Sequence, residues 1–188
     1  TVILSVGYLH EKIMAFYKSE FNGLKLSYVV EEEPLGTGGG IRKAMEQCKD
    51  VEALALNGDS FFEIDLNKFQ QYHEFKNSSF SLALRKVENA SRYGRIEIEN
   101  DNRIASFQEK SVMPKSGSIN AGVYILDRKL FLQHTPADTK FSIEKDFFVN
   151  EIPTLPIYGF EFDGYFIDIG IPEDYTKAQH DLKGSKYK

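Results

Sequence analysis

A charged turn runs directly into a run of glycines near the start of the chain. Residues Glu31 to Gly40 read EEEPLGTGGG, and the helical spacing of Ile41, Ala44 and Met45 follows. A backbone without Cβ atoms can lie flat against a planar or anionic ligand, and the free N–H groups at a helix start favour negative charge. The segment therefore predicts a loop that contacts a base or a phosphate.

A second polar loop follows the next apolar run. Asn57, Gly58 and Asp59 end that run. In open α/β sheets, ligands bind at the carboxyl ends of the strands. We therefore expect Asp59 to bring a carboxylate to the same sheet edge as the glycine-rich loop, and two unlike loops from neighbouring strands would make a site.

Composition excludes several classes of protein. The chain has 188 residues, 41% hydrophobic and 27% charged, which is ordinary for a globular protein and excludes disorder. A net charge of −5 argues against nucleic-acid binding by phosphate neutralisation. The single cysteine, Cys48, suits a reducing cytoplasm, and Thr1 to Val6 is too short to span a bilayer. We expect a cytoplasmic protein with small-molecule or protein partners and no membrane partner; self-association stays open.

Short apolar runs alternate with helical spacing over the first half of the chain, which predicts a βαβ series. Strands are predicted at Val2 to Val6, Leu24 to Val30, Ala53 to Asn57 and Phe80 to Val87, with helices at His10 to Phe21, Thr37 to Lys49 and Leu66 to Lys76. A hairpin of Arg95 to Glu99 and Arg103 to Glu109 follows, then strands at Ile119 to Leu126, Leu155 to Phe162 and Tyr165 to Ile169, and helices near Arg128 to Gln133, Ser142 to Glu151 and from Pro172. No repeat or linker interrupts the chain. We predict an α/β fold, Rossmann-like, with a mixed, mostly parallel sheet and flanking helices, forming one domain over residues 1–188.

Seven short motifs follow one another along nearly the whole chain: residues 31–40 (EEEPLGTGGG), 57–65 (NGDSFFEID), 92–95 (RYGR), 107–110 (FQEK), 119–127 (INAGVYILD), 141–146 (FSIEKD) and 165–175 (YFIDIGIPEDY). This ordered set resembles the sugar-1-phosphate nucleotidylyltransferases, and most closely the guanylyltransferases that act on heptose or mannose 1-phosphates. The amino-terminal Gly-Gly-x-Gly-Thr-Arg loop of that family is not in this sequence, and Thr1 opens directly on an apolar strand. We therefore expect an amino-terminally truncated domain, without its first strand, loop and helix, and with negligible turnover.

The resemblance implies attack by a sugar 1-phosphate oxygen on the α-phosphorus of a nucleoside triphosphate. Positioning and charge neutralisation carry such a step, and Mg²⁺ is the natural cation because it takes few carboxylates and keeps water and phosphate oxygens. The resemblance assigns the metal to Asp59 and Asp168, each placed where a predicted strand ends. The alternative is that Asp59 caps a turn and Asp168 is a solvated strand residue.

Nucleotide binding is expected on the glycine-rich loop and on the loop after the third strand. The candidates are Glu31, Leu35, Gly36, Thr37, Asn57 and Gly58. Gly36 and Thr37 offer backbone contacts to the base, and a carboxylate at Glu31 can accept from two adjacent donors, a pair that guanine presents on its Watson–Crick edge. Glu31 therefore favours GTP. A solvated turn is the commoner role of a Glu-Glu-Glu run, and the sequence does not show which glutamate points inward.

The resemblance assigns sugar binding to Glu109 and phosphate binding to Lys110, and Lys110 supplies a point charge for catalysis. Asn120 offers an amide to a sugar hydroxyl, while Gly94 and Gly122 leave room for the sugar. The alternatives are an exposed Glu109–Lys110 ion pair and strand bulges at the two glycines.

Other enzyme classes fit less well. The residues after Gly36 break the spacing of a Walker-type phosphate loop and of a dinucleotide-binding Gly-x-Gly-x-x-Gly. A metal-dependent glycosyltransferase of related fold would have an Asp-x-Asp pair, where this chain has the single Asp59. A nucleotide-sugar binding or regulatory module without catalysis remains the alternative outside the enzymes.

Overall fold

The computed structural model describes residues 1–108 and 116–183. Its elements are, in chain order, β1 (Val2–Val6), α1 (His10–Tyr17), β2 (Glu20–Phe21), β3 (Leu24–Val30), α2 (Gly36–Gln47), β4 (Glu52–Leu56), β5 (Ser60–Phe62), α3 (Leu66–Phe75), β6 (Phe80–Val87), β7 (Arg95–Ile98), β8 (Ile104–Gln108), β9 (Gly117–Asp127), α4 (Arg128–His134), a π-helical segment (Ile143–Phe148), α5 (Val149–Glu151), β10 (Ile157–Glu161), β11 (Phe166–Asp168) and α6 (Pro172–Asp181). The chain divides into two units, Thr1–Ala53 with Leu126–Leu155, and Leu54–Ile125 with Pro156–Lys188.

The first unit contains a small sheet in the order β1-β3-β2. β1 and β3 are parallel, with Val2 opposite Leu26 and Val6 opposite Val30. Helix α2 packs against β1, α4 and the π-helical segment. Phe131 and Phe147 are buried and meet edge to face, 4.9 Å between ring centroids. This aromatic contact packs the π-helical segment against α4.

The second unit contains a sheet in the order β10-β6-β9-β7-β8, and β4 pairs with β9. β10 and β6 are parallel, whereas β7 is antiparallel to both β8 and β9. A buried cluster on this sheet joins α3 to three strands and contains Phe69, Ala83, Val123, Ile125 and Phe160. A separate antiparallel ribbon is formed by β5 and β11. The predicted α/β class with a mixed sheet is confirmed, although the pairing is divided among three sheets and is less parallel than the periodicity indicated.

Most predicted elements are present, one predicted helix is shorter than expected, and the short strands β2 and β5 were not predicted. The helix predicted over His10 to Phe21 ends at Tyr17, because Lys18 adopts a positive φ of 55° and the chain turns into β2. A hairpin turn at Asn22 and Gly23, with φ of 48° and 80°, then leads into β3. The strand β5 was not predicted, because it forms by pairing with β11 and not from a local sequence pattern.

Candidate active site

Glu31 is the inward-pointing member of the glutamate run. It is half-buried, whereas Glu32 and Glu33 are exposed. Its Oε1 accepts a hydrogen bond from Ser5 Oγ at 2.8 Å, and its Oε2 accepts one from the Leu35 N–H at 2.9 Å. Each carboxylate oxygen has a second lone-pair direction, so these two bonds fix the orientation of Glu31 and leave acceptor capacity for a ligand.

The glycines at the start of α2 admit another segment of the same unit. Gly38, Gly39 and Gly40 are buried. A Cβ on Gly38 would lie 2.1 Å from the Phe141 ring, and one on Gly40 would lie 2.6 Å from Glu31 Oε1. The Gly38 N–H donates to the Phe141 carbonyl at 3.0 Å. Close packing is therefore one reason for these glycines. Phe141, which packs against this loop, is the first residue of the matching segment FSIEKD, and sequence reasoning did not single it out.

Gly36 and Thr37 contact the same segment. Gly36 has a positive φ of 71°, and a Cβ there would lie 2.7 Å from the Phe141 carbonyl oxygen. Thr37 Oγ1 accepts a hydrogen bond from the Ile143 N–H at 3.1 Å. Both residues are exposed, so the glycine-rich loop is held in place by residues 141–143 while these two positions face solvent. Their nucleotide-binding assignment stays a prediction.

Asp59 and Asp168 come together through the pairing of β5 with β11. Asp168 is the last residue of β11 and lies opposite Ser60, and the Ile169 N–H donates to the Asp59 carbonyl at 2.9 Å. The Asp59 side chain is exposed, whereas Asp168 is half-buried and its Oδ1 accepts from the Gly170 N–H at 2.8 Å. The ribbon thus places two aspartates, far apart in sequence, at one end.

The carboxylate donors at this ribbon end are of the type that a magnesium ion takes. Mg²⁺ is held in proteins by one or two carboxylates, with water and phosphate oxygens completing its octahedron. Among residues 1–108 and 116–183, no cluster of three or more His, Cys, Asp or Glu side chains could hold a metal by itself. A cation at Asp59 and Asp168 would therefore need oxygen ligands from water or from a bound phosphate. The metal assignment stays a prediction.

A second hydrogen-bonded group surrounds Gly122 in β9. Gly122 has a φ of 74°, and a Cβ there would lie 2.7 Å from the Asn57 Nδ2 atom. The Asn57 N–H donates to the Gly122 carbonyl at 2.8 Å. Asn120 Oδ1 accepts from the Gly122 N–H at 3.0 Å, and its Nδ2 donates to the Tyr124 hydroxyl at 2.6 Å. The side-chain amide of Asn57 fills the space above Gly122. Asn57, a candidate nucleotide residue, is thus connected to the candidate sugar residues Gly122 and Asn120.

Arg92 connects the segment RYGR to the start of α6. Arg92 Nη1 donates to Asp174 Oδ2 at 2.7 Å, and this bond raises the pKa of the Arg92 guanidinium above its ordinary value. Burial raises the pKa of the Tyr93 phenol, whose ring lies 6.2 Å from the Phe166 ring. Sequence reasoning took only Gly94 from this segment. Both Arg92 and Asp174 lie in matching segments, but nothing local indicated that they form a pair.

Gly94 lies close to the neighbouring strand, since a Cβ there would lie 3.1 Å from the Gln108 carbonyl oxygen. The predicted sugar-binding pair Glu109 and Lys110 falls outside the described residues.

An open groove of about 570 Å³ lies beside Asp59 and Gly58 in the second unit. It is also lined by Ser60, Phe61, Ile167, Ile169, Tyr175, Ala178, Gln179, Leu182 and Lys183. The groove has room for a small ligand next to one candidate metal residue.

Among the helices of the described ranges, none combines the length and the apolar character needed to cross a bilayer.

Comparison with known proteins shows similarity over nearly the whole chain. The chain is 41% identical to a D-glycero-alpha-D-manno-heptose 1-phosphate guanylyltransferase of Aneurinibacillus thermoaerophilus, over 97% of this chain and 78% of that protein. It is 42% identical to the enzyme of the same description from Campylobacter jejuni, over 93% of this chain and 75% of that protein. The crystal structure of HddC from Yersinia pseudotuberculosis complexed with GMP-PN matches with a TM-score of 0.81 and 35% identity, covering 96% of this chain and 77% of that one.

The family model described as nucleotidyl transferase matches residues 3–185. With nearly the whole chain matched in this way, and with the ordered motifs on the loops and strand ends described above, the chain belongs to the nucleotidyl transferase family.

Proposed function

We propose that this chain transfers GMP from GTP to a heptose or mannose 1-phosphate, giving a nucleotide sugar of the kind used as a surface-polysaccharide precursor, and pyrophosphate. The observation that carries the proposal is the β5–β11 register, which brings Asp59 and Asp168 to one ribbon end. The choice of GTP and of a heptose phosphate is supported by the guanylyltransferase relatives and by the GMP-PN complex of HddC.

In this reaction a phosphate oxygen of the sugar 1-phosphate forms a bond to the α-phosphorus of GTP. The bond from that phosphorus to the bridging oxygen breaks, and the electron pair leaves with pyrophosphate. Asp59 and Asp168 would hold Mg²⁺, which supplies charge neutralisation on the phosphate oxygens when bound. Lys110 is assigned a positive charge for the acceptor phosphate, and the remaining work of the chain is to orient the two substrates.

Glu31 is the residue proposed to select guanine. Its carboxylate is held in a fixed orientation by Ser5 Oγ and the Leu35 N–H. Adenine presents an acceptor at N1 where guanine presents a donor, so adenine would leave polar groups unpaired against this carboxylate. Glu31→Gln should weaken the binding free energy for GTP by about 1–3 kcal/mol. The difference in affinity between GTP and the other nucleotides should become smaller.

Glu32→Gln is the matched control, because Glu32 is an exposed glutamate of the same run. We expect Glu32→Gln to change neither the melting temperature nor the order of nucleotide preference. The measurements are calorimetric binding of GTP, ATP, CTP and UTP, and kcat/KM from pyrophosphate release with heptose and mannose 1-phosphates. A preference for another nucleotide would contradict guanine selection.

Asp59→Asn and Asp168→Asn test the metal residues, because each keeps the size of the side chain and removes the charge that holds a hard cation. Each should abolish magnesium-dependent binding of the triphosphate, and any turnover, with little change in melting temperature. Asp163→Asn is the matched control, since Asp163 is fully exposed in the same unit. Wild-type magnesium dependence in either variant would remove that aspartate from the site. GTP binding without any turnover would favour a binding module instead of an enzyme.

A further inference from the structure

The Arg92 guanidinium is bonded to Asp174 beside the strand that carries Asp168. Arg92 lies at the turn before β7, and its guanidinium is partly exposed, with 46% of the side chain accessible. It donates to Asp174 at 2.7 Å across 82 positions of sequence. The ring of Tyr93, the next residue, packs on Phe166, and residues two apart in a strand share a face, so Asp168 lies on the face of β11 that Tyr93 contacts.

Asp168 has remaining capacity for a ligand. Its Oδ1 accepts from the Gly170 N–H at 2.8 Å. Within the ranges that the structure describes, no protein donor bonds to its Oδ2 atom. A carboxylate that is half-buried and only partly bonded has an open oxygen for a hard cation. Were Arg92 released from Asp174, its guanidinium could pair with this oxygen in the two-pronged geometry that arginine and carboxylates favour.

Two ring contacts connect Arg92 to the strand that carries Asp168. The Tyr93 ring packs on Phe166, two residues before Asp168, and the Arg92 guanidinium carbon lies 5.5 Å from the centre of the Tyr93 ring. These contacts anchor the turn against β11. A small change in the partner of Arg92 therefore changes the charge beside Asp168 without requiring the turn to move away.

We propose that Asp174 holds the Arg92 guanidinium off Asp168 and thereby keeps Asp168 available to a divalent cation. Asp174 and Arg92 are then positioning residues that set the cation affinity of the site. The inference rests on the proposed function, because it takes Asp168 as a metal ligand. It makes a specific demand on sign: removing the arginine and removing its partner must change cation affinity in opposite directions.

The test uses Mn²⁺ as the probe and the 188-residue chain without nucleotide, with free Mn²⁺ followed by electron paramagnetic resonance. Arg92→Gln removes a positive charge near Asp168 and should tighten Mn²⁺ binding, by about three- to tenfold for a partly solvated charge. Asp174→Asn frees Arg92 to pair with Asp168 and should weaken binding by a similar factor. Arg92→Lys keeps the charge and should leave affinity within about twofold of the wild type.

Three further variants separate this mechanism from a general effect. Arg85→Gln is the matched control, because it removes an arginine paired with an aspartate, Asp163 at 3.7 Å, in the same unit; it should leave Mn²⁺ affinity unchanged. The double variant Arg92→Gln with Asp174→Asn should bind Mn²⁺ as tightly as Arg92→Gln alone, since Asp174 acts through Arg92. A return to wild-type affinity would show that the two charges simply add, and would overturn the inference. Asp168→Asn should abolish binding in every background. Melting temperatures, measured alongside, identify any variant that fails to fold.

Opposite shifts for Arg92→Gln and Asp174→Asn, with Arg85→Gln unchanged, support the inference. The inference is overturned if the Mn²⁺ affinities of Arg92→Gln and Asp174→Asn shift in the same direction or do not shift, or if Arg85→Gln shifts by an equal amount. In these cases the assignment of Asp168 to the metal still holds, provided that Mn²⁺ binding depends on Asp168. Failure of the wild-type chain to bind Mn²⁺, or binding that persists in Asp168→Asn, overturns both the inference and the assignment of Asp168 to the metal. If one single variant fails to fold, the sign of the shift in the other folded variant decides between these outcomes.

Discussion

Gly38→Ala separates two reasons for a glycine at the start of α2. In an exposed helix, replacing glycine by alanine stabilises by about 1 kcal/mol. Here the new Cβ would lie 2.1 Å from the Phe141 ring, in a buried position. Relieving such an overlap by moving neighbouring groups typically costs about 1–3 kcal/mol, and an overlap this deep belongs at the upper end of that range. We therefore expect a net loss of about 2 kcal/mol in the free energy of unfolding.

A loss of this size should lower the melting temperature by about 4–8 °C for a chain of this length. Thermal unfolding followed by circular dichroism measures it, and urea unfolding gives the corresponding free energy. Gly7→Ala is the control in the same unit, because its Cβ would meet only ordinary contacts, the nearest at 3.9 Å. Its effect should stay within about 0.5 kcal/mol.

A double-mutant cycle identifies Phe141 as the cause. Phe141→Ala alone should destabilise by about 3–5 kcal/mol, because a buried ring is lost. Combined with Gly38→Ala it should destabilise by about 1–3 kcal/mol less than the sum of the two single variants, since the overlap no longer exists. The reasoning is refuted if Gly38→Ala raises the melting temperature, as in a free helix, or if the two effects simply add.

Two further predictions concern charges outside the site. The hydrogen bond from Lys177 lowers the pKa of Asp181 to about 2, from an ordinary value of 3.8. The stabilisation by this bond is therefore present above the ordinary pKa and is lost as the pH falls through about 2. The melting temperatures of wild type and Asp181→Asn should differ most above about pH 4 and converge near pH 2. Arg42 is mostly buried, its Nε and Nη1 atoms have no hydrogen-bond partner among the described residues, and its ion pair with Glu46 is 3.6 Å long. Arg42→Met should therefore raise the free energy of unfolding, measured with urea, by about 1 kcal/mol, whereas a loss of more than about 1 kcal/mol would show that the guanidinium is needed.

Local sequence patterns predicted the elements whose stability is local. The run FSLALRKV forms β6 over Phe80–Val87 as predicted. Its residues 80–84 are all buried and all but one are apolar, which suits a strand covered on both faces. Helix α6 begins at Pro172, where the missing N–H and fixed φ of proline suit the first turn of a helix. Helix α3 begins after Asp65, whose side chain accepts from the N–H groups of Asn67 and Lys68.

The sequence by itself also determined which residue types could carry the chemistry: a glutamate before a glycine-rich loop, aspartates at strand ends and the ordered motifs of the family. Only the tertiary structure decided how they are arranged. β5 exists through its pairing with β11, Gly38 is required by the Phe141 ring, and Arg92 meets Asp174 across 82 positions. Periodicity and turn chemistry act over a few residues, whereas these pairings are set by which chain segments pack together, and no local pattern carries that information.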